Sequence, residues 1–184
     1  MKTLMFIGIG MVLVVVISLG AIAYISYDMS NRATVSETLN PNGAIVGNAL
    51  VVYDPSITGN TKNVASLIAS NLQMKGYKVD LVGIKSEKAE NISAYDVIVV
   101  GGPIYGGNNG DAVKTYLETL KPVKSIKIGV FATGDTHTAD EAMIKRQIAP
   151  IPENNALKIN SVTAISMNDD KTKKCAVFVD NLLK

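Results

Sequence analysis

Cysteine, histidine and an excess of either charge are all scarce in this 184-residue chain. Cys175 is its only cysteine, which excludes an intrachain disulfide and any multi-cysteine metal or iron–sulfur cluster. It lies among Ala176, Phe178, Val179, Leu182 and Leu183, an apolar stripe at helical spacing, and so reads as a small buried hydrophobe. Lys and Arg number 18 against 16 Asp and Glu, a net charge of +2 with both signs scattered, which gives no basis for nucleic-acid binding. No internal repeat is present.

Charge is missing altogether from Leu4 to Tyr27, 24 residues dense in Val, Ile, Leu, Met, Phe, Gly and Ala. About 20 helical residues cross a hydrocarbon core, so this run is long enough for a transmembrane helix. Tyr24 and Tyr27 stand at one end, where aromatic rings favour the headgroup layer. A core helix would show a polar face, and this segment shows none. A cleaved secretory signal is the competing reading, with Lys2, an apolar stretch and Ala21-Ile-Ala23 as a small-x-small site. The apolar run continues past that site, which favours an uncleaved anchor, residues 1–27, in contact with membrane lipid. Lys2 and the α-amine precede the run and Arg32 follows it, a slight bias toward an inside N-terminus and an outside domain. Residues 28–48 are polar, contain Pro41 and Gly43, and read as a flexible tether spanning roughly 25 Å.

From Ala49 onward, strand-like and helical patterns alternate to the end of the chain, the signature of βαβ units and a parallel sheet. Strands are expected at Leu50–Tyr53, Tyr77–Val82, Val97–Val100, Ile128–Phe131 and Ser161–Ile165. Helices are expected at Asn63–Lys75, Ala112–Leu120, Ala139–Ile148 and Lys171–Leu183, with 84–95 a loop or brief helix. Residues 49–184 thus form one α/β domain of ordinary size.

The turn after the first strand is the most informative stretch. Ser56, Thr58, Asn60 and Thr61 place four side-chain donors within six positions, and Gly59 permits close approach of an anion. The unpaired N–H groups of a helix start lie immediately behind. No lysine or arginine lies inside the turn, although Lys62 follows it. An ordinary helix cap needs only one such residue, Thr58 or Asn60; four favour a phosphate. Two further strands, Asp96–Gly102 and Lys127–Ala132, lead into Pro103-Ile-Tyr-Gly-Gly-Asn108 and Thr133-Gly-Asp-Thr136.

With these three loops in this order, the chain from Ala49 to Lys184 resembles the flavodoxin family. The resemblance implies a flavodoxin-like three-layer sandwich with a five-stranded parallel sheet in order 2-1-3-4-5, preceded by one transmembrane helix. It implies non-covalent FMN as cofactor, its phosphate held by Ser56, Thr58, Gly59, Asn60 and Thr61. The flavin would lie between Pro103, Ile104, Tyr105, Gly106, Gly107 and Asn108 on one side and Thr133, Gly134 and Asp135 on the other. Tyr105 is the candidate for stacking, and a peptide at Gly106-Gly107 could turn toward the flavin's reactive nitrogen. The implied function is electron carriage between redox partner proteins or a membrane quinone, with no catalytic or metal residues. Related readings are an FMN-dependent oxidoreductase of the quinone or protoporphyrinogen type and a cofactor-free binding module. Two departures stand out. The chain lacks the strongly acidic balance usual in flavodoxins. Its third loop offers only His137 where many members have a second aromatic. Asp135 beside the ring would disfavour the anionic reduced flavin and lower that potential.

Overall fold

The structure, a computed structural model, describes residues 2–105, 108–109, 111–121, 125–134, 141–148 and 157–184. Its long N-terminal helix α1 covers Lys2–Thr34. It is followed by β1 (Ser36–Leu39), β2 (Gly47–Tyr53), α2 (Asn60–Met74), β3 (Tyr77–Gly83), α3 (Glu87–Glu90) and β4 (Val97–Tyr105). The remainder is β5 (Asn108–Asn109), α4 (Asp111–Thr119), β6 (Lys127–Gly134), α5 (Glu141–Ile148), β7 (Ile159–Ser166) and α6 (Lys171–Leu183).

Alternation of side chains along β2 explains the layers. Ala49, Val51 and Tyr53 enter one core with Val64, Ile68 and Leu72 of α2 and Cys175, Phe178, Val179 and Leu182 of α6. Leu50 and Val52 enter the other with Val113, Tyr116 and Leu117 of α4 and Ile144 of α5. A strand buried on both faces must be apolar along its buried stretch, as β2 is from Ala49 to Tyr53 and β4 from Val97 to Ile104. The helices present apolar residues at i, i+3, i+4 and i+7, as Cys175, Phe178, Val179 and Leu182 illustrate. Burial pushes the Cys175 thiol up to about 12, so it stays protonated and packs as a hydrophobe.

Five strands are parallel and neighbour one another as β3-β2-β4-β6-β7. Counted along the chain this is 2-1-3-4-5, the expected order. The strands extend further than their apolar runs: β4 continues to Tyr105 and pairs antiparallel with β5, through Ile104 opposite Asn109 and Tyr105 opposite Asn108.

The expectation of a flexible tether at residues 28–48 is corrected. Helix α1 runs on to Thr34, and Ser36–Leu39 then adds a sixth strand, antiparallel to β3, with Ser36 opposite Val82 and Leu39 opposite Val79. Its sequence, Ser-Glu-Thr-Leu, carries no apolar period because three of its four side chains face water. Backbone bonds close the junction: Gly83 N donates to Val35 O at 2.8 Å and Lys85 N to Ala33 O at 2.8 Å. Ala33 is buried. At Gly83 a side-chain carbon would collide with the Ala33 carbonyl, so the seat of α1 on the sheet requires glycine there.

The most apolar 18-residue window of α1 has a mean hydropathy of 2.5, and none of it is buried by the rest of the chain. Ile9, Val12, Val15, Val16, Leu19 and Ile22 all stand exposed.

Two outcomes test the β1–α1 junction. Gly83→Ala is expected to destabilise the detergent-solubilised chain by about 1–3 kcal/mol, through displacement of α1 from β3. A thermal midpoint equal to wild type would contradict this. The second concerns Asp80, which accepts from Lys88 Nζ at 2.7 Å, from Tyr95 Oη at 2.9 Å and from the Thr38 hydroxyl of β1. Burial pushes its pKa up, but these donors prevail and hold it below the usual carboxylate value. Its stabilising contribution is therefore present above about pH 4 and disappears as pH falls through the lower, folded value. Asp80→Asn is expected to lower stability by about 1–2 kcal/mol at pH 7. Thermal scans should show the gap closing below pH 4.

Candidate cofactor-binding site

Strand β2 ends where Asp54 N donates to Gly101 O of β4 at 2.8 Å, so the two central strands are clamped at their carboxyl ends. The chain then turns: Gly59 N donates to Ser56 O at 3.0 Å, and Asn63 N to Gly59 O at 3.1 Å starts α2. Gly59 caps the helix with φ 75° and ψ 0°, the left-handed region that glycine adopts without strain.

Each hydroxyl of the turn has a definite task. Ser56 Oγ, buried, accepts from Thr61 N at 3.1 Å, and Thr58 Oγ1 accepts from Asn60 N at 3.4 Å. Both hydroxyls use a lone pair on the backbone and keep the O–H to donate outward. Asn60 Oδ1 accepts from Lys171 Nζ at 2.8 Å, which leaves the amide NH2 as its donor face. Thr61 is different. Its hydroxyl is fully buried and shares a 2.7 Å hydrogen bond with Thr133 Oγ1, so it braces the first loop against the third.

A cavity of about 300 Å³ opens over this turn. Ser56, Thr58 and Asn60 line one side, Pro103, Ile104 and Tyr105 a second, and Thr133 and Gly134 a third. The Tyr105 ring is 54% exposed, and its Oη accepts from Ile57 N at 3.2 Å, tying the second loop to the first. Of the residues singled out from sequence, Gly59 and Thr61 form the frame behind the cavity rather than its wall. Asn108 pairs through its backbone with Tyr105. Gly106, Gly107, Asp135 and His137 lie outside the described residues.

Four neighbours escape sequence reasoning. Met167, exposed in the turn after β7, and Ile57 complete the apolar wall. Met167 follows the fifth parallel strand, and all parallel strands end on one edge; that topological fact was its only signal. Lys171 stands 111 positions from Asn60, and Arg32 reaches Gly59 from α1, contacts no local pattern announces.

Behind the turn, burial raises the pKa of Asp54 while Lys85 opposes the shift. A larger cavity, about 690 Å³, lies between α3 and α4 over Ala89, Ile92 and Leu120. Its walls are mainly apolar, and the Tyr116 and Thr119 hydroxyls on it donate to the carbonyls of Ala89 and Tyr116, so size does not mark the site. Among the described residues no cluster of His, Cys, Asp and Glu is placed to hold a metal.

A doubly wound sheet with a hydroxyl-rich turn at its first crossover, and two further loops around it, defines a protein of the class that holds a phosphorylated cofactor at the strand ends. A family model described as a flavodoxin domain matches residues 50–179, and the chain belongs to the flavodoxin family. A Bacillus subtilis (strain 168) protein described as probable flavodoxin 1 is 29% identical over 90 residues, which is 47% of this chain and 56% of that protein. The match thus spans about half the length of each. A flavodoxin from Streptococcus pneumoniae TIGR4 superposes with TM-score 0.60 at 22% identity, over 74% of this chain and 98% of that one. Oxidised flavodoxin 2 from Bacillus cereus gives TM-score 0.60 at 23% identity, over 74% and 98%. At such identities the structural likeness speaks for the fold.

The Thr61–Thr133 brace yields a prediction. Thr61→Val leaves the Thr133 hydroxyl buried without its partner and is expected to cost about 1–3 kcal/mol. Adding Thr133→Val should cost less than the sum of the two single changes. Additive losses in thermal unfolding would show that the two hydroxyls do not act as a pair.

Proposed function

We propose that this protein is a membrane-anchored flavodoxin: it binds FMN non-covalently and passes electrons to a membrane-resident redox partner. The observation that carries the reading is the convergence of Ser56, Thr58 and Asn60 with Tyr105 and Thr133 around one cavity at the strand ends. The donor set fits a phosphate ester: two outward-facing hydroxyls, one amide and the start of α2. Tyr105 and Met167 offer an aromatic ring and a polarisable thioether for the flavin, and Ile104 and Ile57 offer apolar surface. A bound flavin would supply reversible uptake and release of one or two electrons. The protein's own part is to hold it, shield one face and leave an edge open for transfer.

The anchor and the site share one edge of the sheet. The last residue of the uncharged run is Tyr27, and Ala33 is already seated on the domain; six helical residues span about 9 Å. Lipid is the solvent suited to a helix whose apolar side chains stand exposed all round. The carboxyl ends of the strands, and the cofactor with them, would therefore face the bilayer rather than distant solvent. A membrane-resident partner suits that geometry better than a freely diffusing one.

The test uses the full chain, extracted in detergent from a washed membrane fraction. Copurified or added FMN should bind with micromolar or tighter affinity, seen as quenching of flavin fluorescence, and undergo reversible reduction and reoxidation. Binding without turnover of NAD(P)H or quinone in the absence of a partner protein supports a carrier. Lack of any FMN binding, or recovery of the chain in the soluble fraction, would overturn the reading.

A further inference from the structure

We propose that Arg32, on the last turn of α1, is a ligand for the cofactor phosphate held by the Ser56–Thr61 turn. The inference rests on the FMN reading above and adds to it a charge that the turn itself lacks.

Hydroxyls, an amide and helix-end N–H groups bind a dianion, yet none of them carries a full positive charge. Besides Lys62 in the first turn of α2, two cations among the described residues reach the turn from distant segments. Lys171 is engaged with Asn60 Oδ1 at 2.8 Å. Arg32 lies beside Gly59, at the frame of the cavity: a side-chain carbon built on Gly59 would lie 3.7 Å from Arg32 Nη1. Gly59 has no side chain and a positive φ, so the space between the guanidinium and the turn stays open.

The position of Arg32 is set by the fold. Ala33, next to it, is buried with its carbonyl bonded to Lys85 N, and the Arg32 carbonyl accepts from Tyr53 Oη at 3.3 Å. Its other terminal nitrogen, Nη2, pairs with Asp28 at 2.7 Å, one helical turn back. A guanidinium has five N–H donors, so the pair leaves donors for an anion. The side chain is 39% exposed, so it can shift by an ångström or two without unpacking a core. There is a competing role. A basic residue at a helix C-terminus also offsets the dipole and supports an i,i+4 ion pair.

The two roles separate by ligand. Riboflavin presents the same ring without the phosphate, so its affinity reports the frame and the FMN affinity reports frame plus phosphate. Fluorescence titration of the flavin-stripped full chain in detergent is done with each flavin, for wild type, Arg32→Gln, Arg32→Lys and Asp28→Asn. Arg32→Gln is expected to weaken FMN about tenfold, between the limits for a charge pair in water and one at a protein surface. Riboflavin affinity should stay within about twofold. Arg32→Lys should recover part of the loss. Asp28→Asn removes the competing carboxylate and should raise the FMN-to-riboflavin ratio. Equal losses for both flavins in Arg32→Gln would assign Arg32 to the frame and overturn the proposal, as would an unchanged FMN affinity. A wild-type chain that binds riboflavin and FMN equally would also overturn it. Wild type that binds neither flavin removes the FMN reading itself, a distinct result.

Discussion

Leu50 and Val52 are pressed into one core while Val51 and Tyr53 are pressed into the other, and this two-sided burial holds β2 in a single register. A slip of one residue would exchange the two faces and send every side chain into the wrong core. The neighbours β3 and β4 are both aligned on β2, from Ala49 opposite Val79 and Val97 to Tyr53 opposite Gly83 and Gly101. Every feature of the candidate site is measured from that strand's carboxyl end. The hydroxyl turn begins there, the second loop leaves the strand beside it, and α1 is seated on Gly83 at the same level.

The loops hold one another in place as much as the sheet holds them. The Thr61–Thr133 hydroxyl pair joins the first to the third, and the Tyr105 phenol joins the second to the first. Polar groups used in this way act as spacers: they are satisfied among themselves and leave O–H and N–H groups of Ser56, Thr58 and Asn60 facing the cavity. A site preorganised by such bonds loses little entropy on accepting a ligand.

The junction of α1, β1 and β3 fixes how the long apolar helix leaves the domain. A flexible tether would let the domain turn freely about that helix. A helix that continues to Thr34 and hands directly into an edge strand restricts that motion, because the carbonyls of Ala33 and Val35 are bonded to β3 and the residues after it. Asp80 reinforces the seam by gathering Thr38, Lys88 and Tyr95 on one carboxylate. The edge strand also covers what would otherwise be the open side of β3.

Much of this was legible in the amino-acid order. Apolar runs bounded by turn residues located five parallel strands, and the period of Cys175, Phe178, Val179 and Leu182 located α6 to its end residues. The hydroxyl spacing after the first strand located the turn that borders the cavity. The short strand at Ser36–Leu39 was not legible, since an edge strand with exposed side chains needs no apolar pattern. Nor was the inward turn of Thr61, because a buried threonine and a ligand-facing threonine look alike until a partner such as Thr133 is brought opposite.

Local order along the chain was enough to determine the five parallel strands and the turn that borders the cavity, because hydrophobic period and glycine placement act over a few residues. Only the folded chain decided which distant groups meet at the turn and its cavity: Met167 in the wall, Lys171 beside Asn60, and Arg32 beside Gly59. Those meetings depend on strand order and on the seat of α1, which are properties of packing and not of any single stretch of sequence.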